Sequence, residues 1–254
     1  MVPVGAAVRL LALAGSVGRS GNVAGAGTRA AASALAALPA TMLWAWERPE
    51  DLRWLPPEAG VAYVAATVEL VGGEARLRPR GFPLLVRADT AVLPVIHIDA
   101  SMREPPLLNA AQHAAIVAQM LAAARRSGPQ VVQLDFEVRA SQRPFLLALV
   151  ADLRRRLPSG VALSVTALAS WCAGDYWIDA LAADEIVPMA FRMARDDGAI
   201  RTLLAAQGGF TRPRCRAALG VATDEARVDA HGARRYIFSP RAWDQAAWRH
   251  VQPP

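Results

Sequence analysis

A chain of 254 residues, 54% of them hydrophobic and 20% charged, is long enough to bury a full core and too apolar to stay disordered. Its formal net charge of +6 comes from 28 basic residues that are all Arg, scattered along the chain with Arg154, Arg155 and Arg156 as the one cluster, so the charge reads as composition and no nucleic-acid partner is expected. Cys172 and Cys215 fit neither a zinc pattern nor a thioredoxin-like one, which leaves two ordinary thiols, or one disulfide if the chain is exported.

Residues 1–40 carry Arg9, Arg19 and Arg29 but no acid, in a background of Ala, Gly, Val and Leu. The apolar runs at 10–14 and 30–40 fall short of the roughly 18–20 residues of a membrane span, so no transmembrane segment is expected. Arg29 followed by an Ala-rich run has the layout of a secretory signal, which would make the protein exported, periplasmic or envelope-associated. The other reading is a low-complexity extension on a cytoplasmic protein. Either way this segment is expected to pack poorly or be removed, leaving one domain at 41–254.

Strands are predicted next at 42–46 and 61–70, with a Gly72-Gly73 turn into a hairpin strand at 75–80. Further strands follow at 91–98, 131–138, 161–168, 185–191, 217–221 and 235–238. Helical spacing appears at 109–126, through Ile116, Met120, Ala123 and Ala124, and at 144–156, through Leu146, Leu149, Val150 and Leu153. Shorter helices are predicted at 177–182, 200–207 and 241–250. Alternating strands and helices argue for an α/β fold with a parallel sheet, and eight strands favour closure into a single (β/α)8-like TIM barrel. It should be irregular between the hairpin after the second barrel strand and the third, where no helix is evident. An open doubly wound sheet is less well supported, because no Gly-rich phosphate loop follows any strand.

The fourth barrel strand carries the most chemistry. Side chains alternate along a strand, so Val132, Leu134 and Phe136 share one face while Gln133, Asp135 and Glu137 share the other. Asp135 and Glu137 at its C-terminal end are therefore the first catalytic candidates, against the plainer reading of ion-paired or solvated strand-end acids. His97 and Asp99 pair in the same way on the third strand, and Ser164 and Thr166 are the inward polar positions of the fifth. Trp44, Trp46 and Glu47 end the first strand, and Trp171 follows the fifth. Aromatic rings beside carboxylates suit a sugar site, since rings stack on a pyranose while acids handle the glycosidic oxygen. Trp46, Glu47, His97, Asp99 and Trp171 are accordingly read as substrate-binding, and Trp44 as core.

Three segments, QLDFE at 133–137, LSVTALASW at 163–171 and VPMAFRM at 187–193, together resemble an uncharacterised bacterial family known as a domain of unknown function, over about 43–224. More distantly they are similar to chitinase-type glycoside hydrolases. That resemblance implies a barrel whose fourth strand ends in Asp-Gly-x-Asp-x-Asp-x-Glu, the catalytic Glu matching Glu137 and the last Asp matching Asp135. Gln130 and Gln133 replace the two earlier acids. In the sixth-strand motif Met-x-Tyr-Asp, Phe191 stands for Tyr and Arg192 for Asp, which puts substrate-assisted chemistry in question. Arg192 is expected instead to hold Glu137 ionised or to bind an anionic sugar. Three readings follow: a glycoside-hydrolase-like enzyme with Glu137 as general acid, a sugar-binding barrel without turnover, and a metal-dependent hydrolase using His97, Asp99, Asp135 and Glu137. No cofactor is expected on the first two.

Overall fold

The computed structural model describes residues 21–125 and 130–251, with side chains from residue 27 onward. In chain order the helix α1 (Gly21–Ala36) precedes β1 (Thr41–Ala45), β2 (Glu50–Asp51), β3 (Ala59–Val71), β4 (Glu74–Pro79), β5 (Leu84–Leu85) and β6 (Val92–Ala100). Then come α2 (Ala110–Arg125), β7 (Val131–Asp135), α3 (Arg143–Arg156), β8 (Ala162–Leu168), α4 (Ala169–Ala173), β9 (Glu185–Met189), α5 (Asp197–Gln207), β10 (Ala218–Ala222), β11 (Arg234–Phe238) and α6 (Gln245–Val251). β1, β3, β6, β7, β8, β9, β10 and β11 pair in parallel in that order, and β11 pairs back to β1. The eight strands thus close into the expected TIM-like barrel.

Strand alternation divides the apolar side chains between two cores. Val132, Leu134 and Phe136 point outward with Leu163 and Val165, where Ile116, Met120, Leu146, Leu149 and Leu153 of α2 and α3 cover them. Met42, Trp44, Ala62, Val64, Leu93, Val95, Val187 and Phe238 fill the barrel interior. At Gly60 the strands approach so closely that a Cβ would lie 2.6 Å from the Met42 sulfur and 2.9 Å from the Ala91 carbonyl oxygen, so only glycine fits.

The helix ends are chemically marked. Asn109 and Gln112 cap α2 reciprocally, each side-chain oxygen accepting the other's backbone N–H, while the Gln112 amide donates to the Gly72 and Glu74 carbonyls of the hairpin. Pro144 opens α3, and three arginines stand in its last turn, where the helix dipole favours cations. Arg154 there donates to the Val161 carbonyl and pairs with Asp184.

The first third of the barrel is irregular, as the sequence suggested. β4 runs antiparallel to β3, β2 pairs with β5, and no helix separates β3 from β6. The outer face of β1, β3 and β11 is covered instead by Leu52, Leu55, Trp243 and Trp248, from loops and α6. β3 also changes register between Val64 and Ala66, a bulge that brings Thr67 and Glu69 onto the inner face.

Several expectations need correction. The predicted fourth barrel strand stops at Asp135 rather than Val138, because the chain leaves the ladder there to start a 3-10 turn at Ala140–Gln142. The helix predicted at 177–182 is a 3-10 turn, Tyr176–Ala180, and the last helix begins at Gln245. Arg126, the predicted end of α2, lies outside the described residues. The expectation of poor packing up to residue 40 fails for its described part: α1 lies across the N-terminal ends of the strands, burying Ala31 and Ala34 against Val131, Ala162 and Ala218. Its small side chains allow that close seating, and Arg234 fixes the exit by donating to the Leu35 and Pro39 carbonyls. Residues 1–20, to which the same expectation applies, lie outside the described residues. Cys172 and Cys215 form a disulfide, and no helix of the described residues is long and apolar enough to cross a membrane.

Candidate active site

A cavity of about 990 Å³ opens at the C-terminal ends of the strands, the end at which such barrels carry their sites. Trp46, His97, Asp99, Asp135, Glu137, Trp171 and Arg192 all border it, whereas Glu47 does not. β6 and β7 deliver the central group by register. His97 pairs with Asp135 across the ladder, which sets their inward side chains next to each other. Asp135 Oδ2 lies 2.7 Å from His97 Nδ1, and Asp135 Oδ1 accepts a 2.6 Å hydrogen bond from the Thr166 hydroxyl on β8. With both oxygens engaged, Asp135 is only 5% exposed.

Glu137 lies two residues beyond the strand, but the alternation continues past the last ladder bond. Phe136 and Val138 are buried and Glu137 faces the cavity. Its carboxyl group has no hydrogen-bond or ion-pair partner among the described residues. Although open to the cavity, it sits within the barrel rim, where partial desolvation and then the negative charge of Asp135 raise its pKa above the ordinary 4.5, with His97 acting in the opposite sense. Burial disfavours the His97 cation, yet the Asp135 hydrogen bond and the charges of Asp135, Asp99 and Glu137 together raise its pKa above 6.5. Asp99 is exposed on the same wall.

Aromatic rings form another wall. Trp46 meets His97 edge-on at 5.7 Å and approaches Phe238 at 6.3 Å, and Phe191 packs on Phe238 at 4.6 Å. Trp44 lies beneath them, stacked on Phe238 at 4.4 Å and wholly buried, as core. Trp171 is 3% exposed and packs on Trp177, so it builds the wall and offers no open face for stacking.

Two expected binding residues have other partners. Glu47 accepts the Gly81 backbone N–H and lies 3.8 Å from Arg78, joining the end of β1 to the hairpin region. Arg192 does not hold Glu137. Its guanidinium pairs with Asp224 and Glu225, each at 2.6 Å, and its backbone N–H donates to Glu225, which together stabilise a left-handed conformation at φ 52°. Two carboxylates neutralise this cation, so it presents no free charge to an anionic sugar. Among the described residues, no group of three or more His, Cys, Asp or Glu side chains is arranged to hold a metal ion; His97, Asp99, Asp135 and Glu137 border one cavity without forming a ligand set.

Thr166 and Phe238 were not assigned roles from sequence. The inward alternation from Ser164 marks Thr166, and that from Tyr236 marks Phe238, but neither pattern names a partner.

No protein-family model matches the chain, and no curated protein matches it. Among solved structures it is similar to the Bacillus cereus spore cortex-lytic enzyme SleL, at 15% sequence identity and a TM-score of 0.49, over 72% of this chain and 50% of that one. The chain thus spans about half the length of that protein, and a likeness at this level assigns no activity. What the strand pairing establishes independently is a closed α/β barrel of eight parallel strands.

Proposed function

We propose that this protein is a glycoside-hydrolase-like barrel that binds carbohydrate in the cavity at the C-terminal rim, with Glu137 as general acid. The observation that carries this reading is the setting of Glu137: a carboxyl group with no hydrogen-bond or ion-pair partner among the described residues, facing a large cavity, with its proton affinity raised by burial and by Asp135. A general acid must hold its proton near the working pH and be free to donate it. The ring of Trp46, with Phe191 and Phe238 beside it, offers the apolar surface on which a sugar ring packs. The resemblance of the fourth-strand segment to chitinase-type barrels supports the same assignment. Asp99 is the second exposed carboxylate on this wall. The Cys172–Cys215 disulfide fits an oxidising compartment and therefore export.

The sixth barrel strand favours a second reading, a sugar-binding barrel without turnover. Phe191 has no hydroxyl to donate to a substrate acetamido group, and Arg192 is clamped by Asp224 and Glu225. One experiment separates the two. Wild type, Glu137→Gln and Asp135→Asn are assayed for hydrolysis and binding on an oligosaccharide panel that includes chitin-type and peptidoglycan-type glycans. An enzyme should lose about two to four orders of magnitude in turnover in Glu137→Gln with binding retained, and should also be impaired in Asp135→Asn. Binding without hydrolysis in all three proteins supports the second reading, and neither binding nor hydrolysis removes both.

A further inference from the structure

The His97, Asp135 and Thr166 contacts distribute roles that the fourth-strand acids alone do not. Asp135 has two carboxylate oxygens, and each has a partner on a different neighbouring strand, His97 on β6 and Thr166 on β8. Turning Asp135 toward Glu137 would break at least one of these bonds, in a site where Asp135 is 5% exposed and water cannot readily replace the lost partner. His97 retains its second ring nitrogen, and its side chain is 30% exposed on the cavity wall.

We propose that His97 is a positioning residue: together with Thr166 it locks Asp135 in place, so that Glu137 carries its own proton instead of sharing one with Asp135. This rests on the reading of Glu137 as the general acid. The fixed Asp135 charge and the His97 charge act on Glu137 with opposite signs. The remaining charges near His97 are Asp99 on its own strand, Asp135 at the end of β7 and Glu137 just beyond it. On the other walls Arg192 is matched by Asp224 and Glu225, Arg143 by Asp175 and the exposed Arg195 by Asp196, while Arg139 stands exposed at the mouth.

The test is a carboxyl and imidazole NMR titration of the full chain, in wild type, His97→Gln, Asp135→Asn and Thr166→Ser, alongside the pH profile of hydrolysis. In His97→Gln the titration midpoint of Glu137 should move up, because a neighbouring cation is removed and Asp135 is freed to share the proton. In Asp135→Asn it should move down, because the neighbouring anion is removed. Thr166→Ser, which keeps the hydroxyl, should titrate as wild type. The Nδ1 proton of His97 should be protected from exchange in wild type and lose that protection in Asp135→Asn. The alkaline limb of any hydrolysis should follow the Glu137 midpoint in both directions. Shifts of the same sign in His97→Gln and Asp135→Asn, or an unchanged Glu137 midpoint in folded His97→Gln, would overturn the proposal. The NMR readings need no substrate, so the predicted shifts without hydrolysis count against the enzyme reading and leave the Asp135 lock standing. Hydrolysis that depends on Glu137 but is indifferent to His97 does the reverse.

Discussion

At the scale of single residues, the site consists of ionisable groups that modify one another rather than acting separately. His97 is the clearest case, because its folded-state pKa lies above its ordinary 6.5. A histidine whose pKa rises on folding binds its proton more tightly in the native state. Its contribution to stability is then fully present below the unfolded pKa and fades as the pH rises through the folded one. Unfolding followed by urea across this range should show wild type losing stability above about pH 6.5, with His97→Gln showing a flatter dependence. If the two dependences are parallel through that window, the Asp135 bond does not stabilise the imidazolium. Arg192 shows the limit of reading residue type alone. Its guanidinium could serve a carboxylate of the substrate or of Glu137, but Asp224 and Glu225 reach it from the loop after β10, more than thirty positions downstream.

At the scale of elements, the barrel interior is divided into a polar floor and a reactive rim. Below Asp135, the Gln133 amide donates to the Ser164 hydroxyl, which donates to Glu185. Tyr236 donates to the same carboxylate at 2.8 Å, and Arg234 pairs with its other oxygen. Burial, followed by the Glu185 charge, raises the Tyr236 pKa well above 10, so the phenol keeps its proton and remains a donor. Glu185→Leu would leave Arg234 without its charge partner and should cost roughly 3–5 kcal/mol. Tyr236→Phe removes one of the three donors to that carboxylate and should cost about 1 kcal/mol. Urea midpoints of the two variants test this ordering, and equal losses would mean that the charge pair is not what holds the floor. None of these partnerships is visible in the sequence, since Gln133, Ser164, Glu185 and Tyr236 lie on four different strands. What alternation does reveal is the facing of each strand, which is why Asp135 and Glu137 can be oriented from the QLDFE segment alone. It also places His97 and Asp99 together on one wall, because β6 keeps a two-residue period to its end. Glu47 lies away from the cavity because the chain after β1 turns toward the hairpin, a direction set by Arg80 donating to the Trp46, Val64 and Arg48 carbonyls. For Trp171, a strand-end aromatic looks the same in sequence whether its face is open or covered by Trp177.

At the scale of the whole molecule, an irregular barrel with few covering helices is held by contacts that link distant parts of the chain. α1 closes the N-terminal end through Ala31 and Ala34, and Cys172–Cys215 ties α4, which carries the wall residue Trp171, to the turn leading into β10. The disulfide closes a segment of 43 residues that includes β9 and α5. Most of its effect should fall on the unfolded chain, which loses conformational freedom when these residues are linked. Both cysteines are nearly fully buried, so their replacement also tests local packing. Cys172→Ala combined with Cys215→Ala should therefore lower stability by about 2–4 kcal/mol. The urea dependence should become steeper, because the unlinked denatured chain expands and exposes more surface. Reducing the wild type should reproduce the same steepening without disturbing the packing. A double variant with a lower urea midpoint but an unchanged slope would place the effect in the folded wall around Trp171 rather than in the unfolded chain.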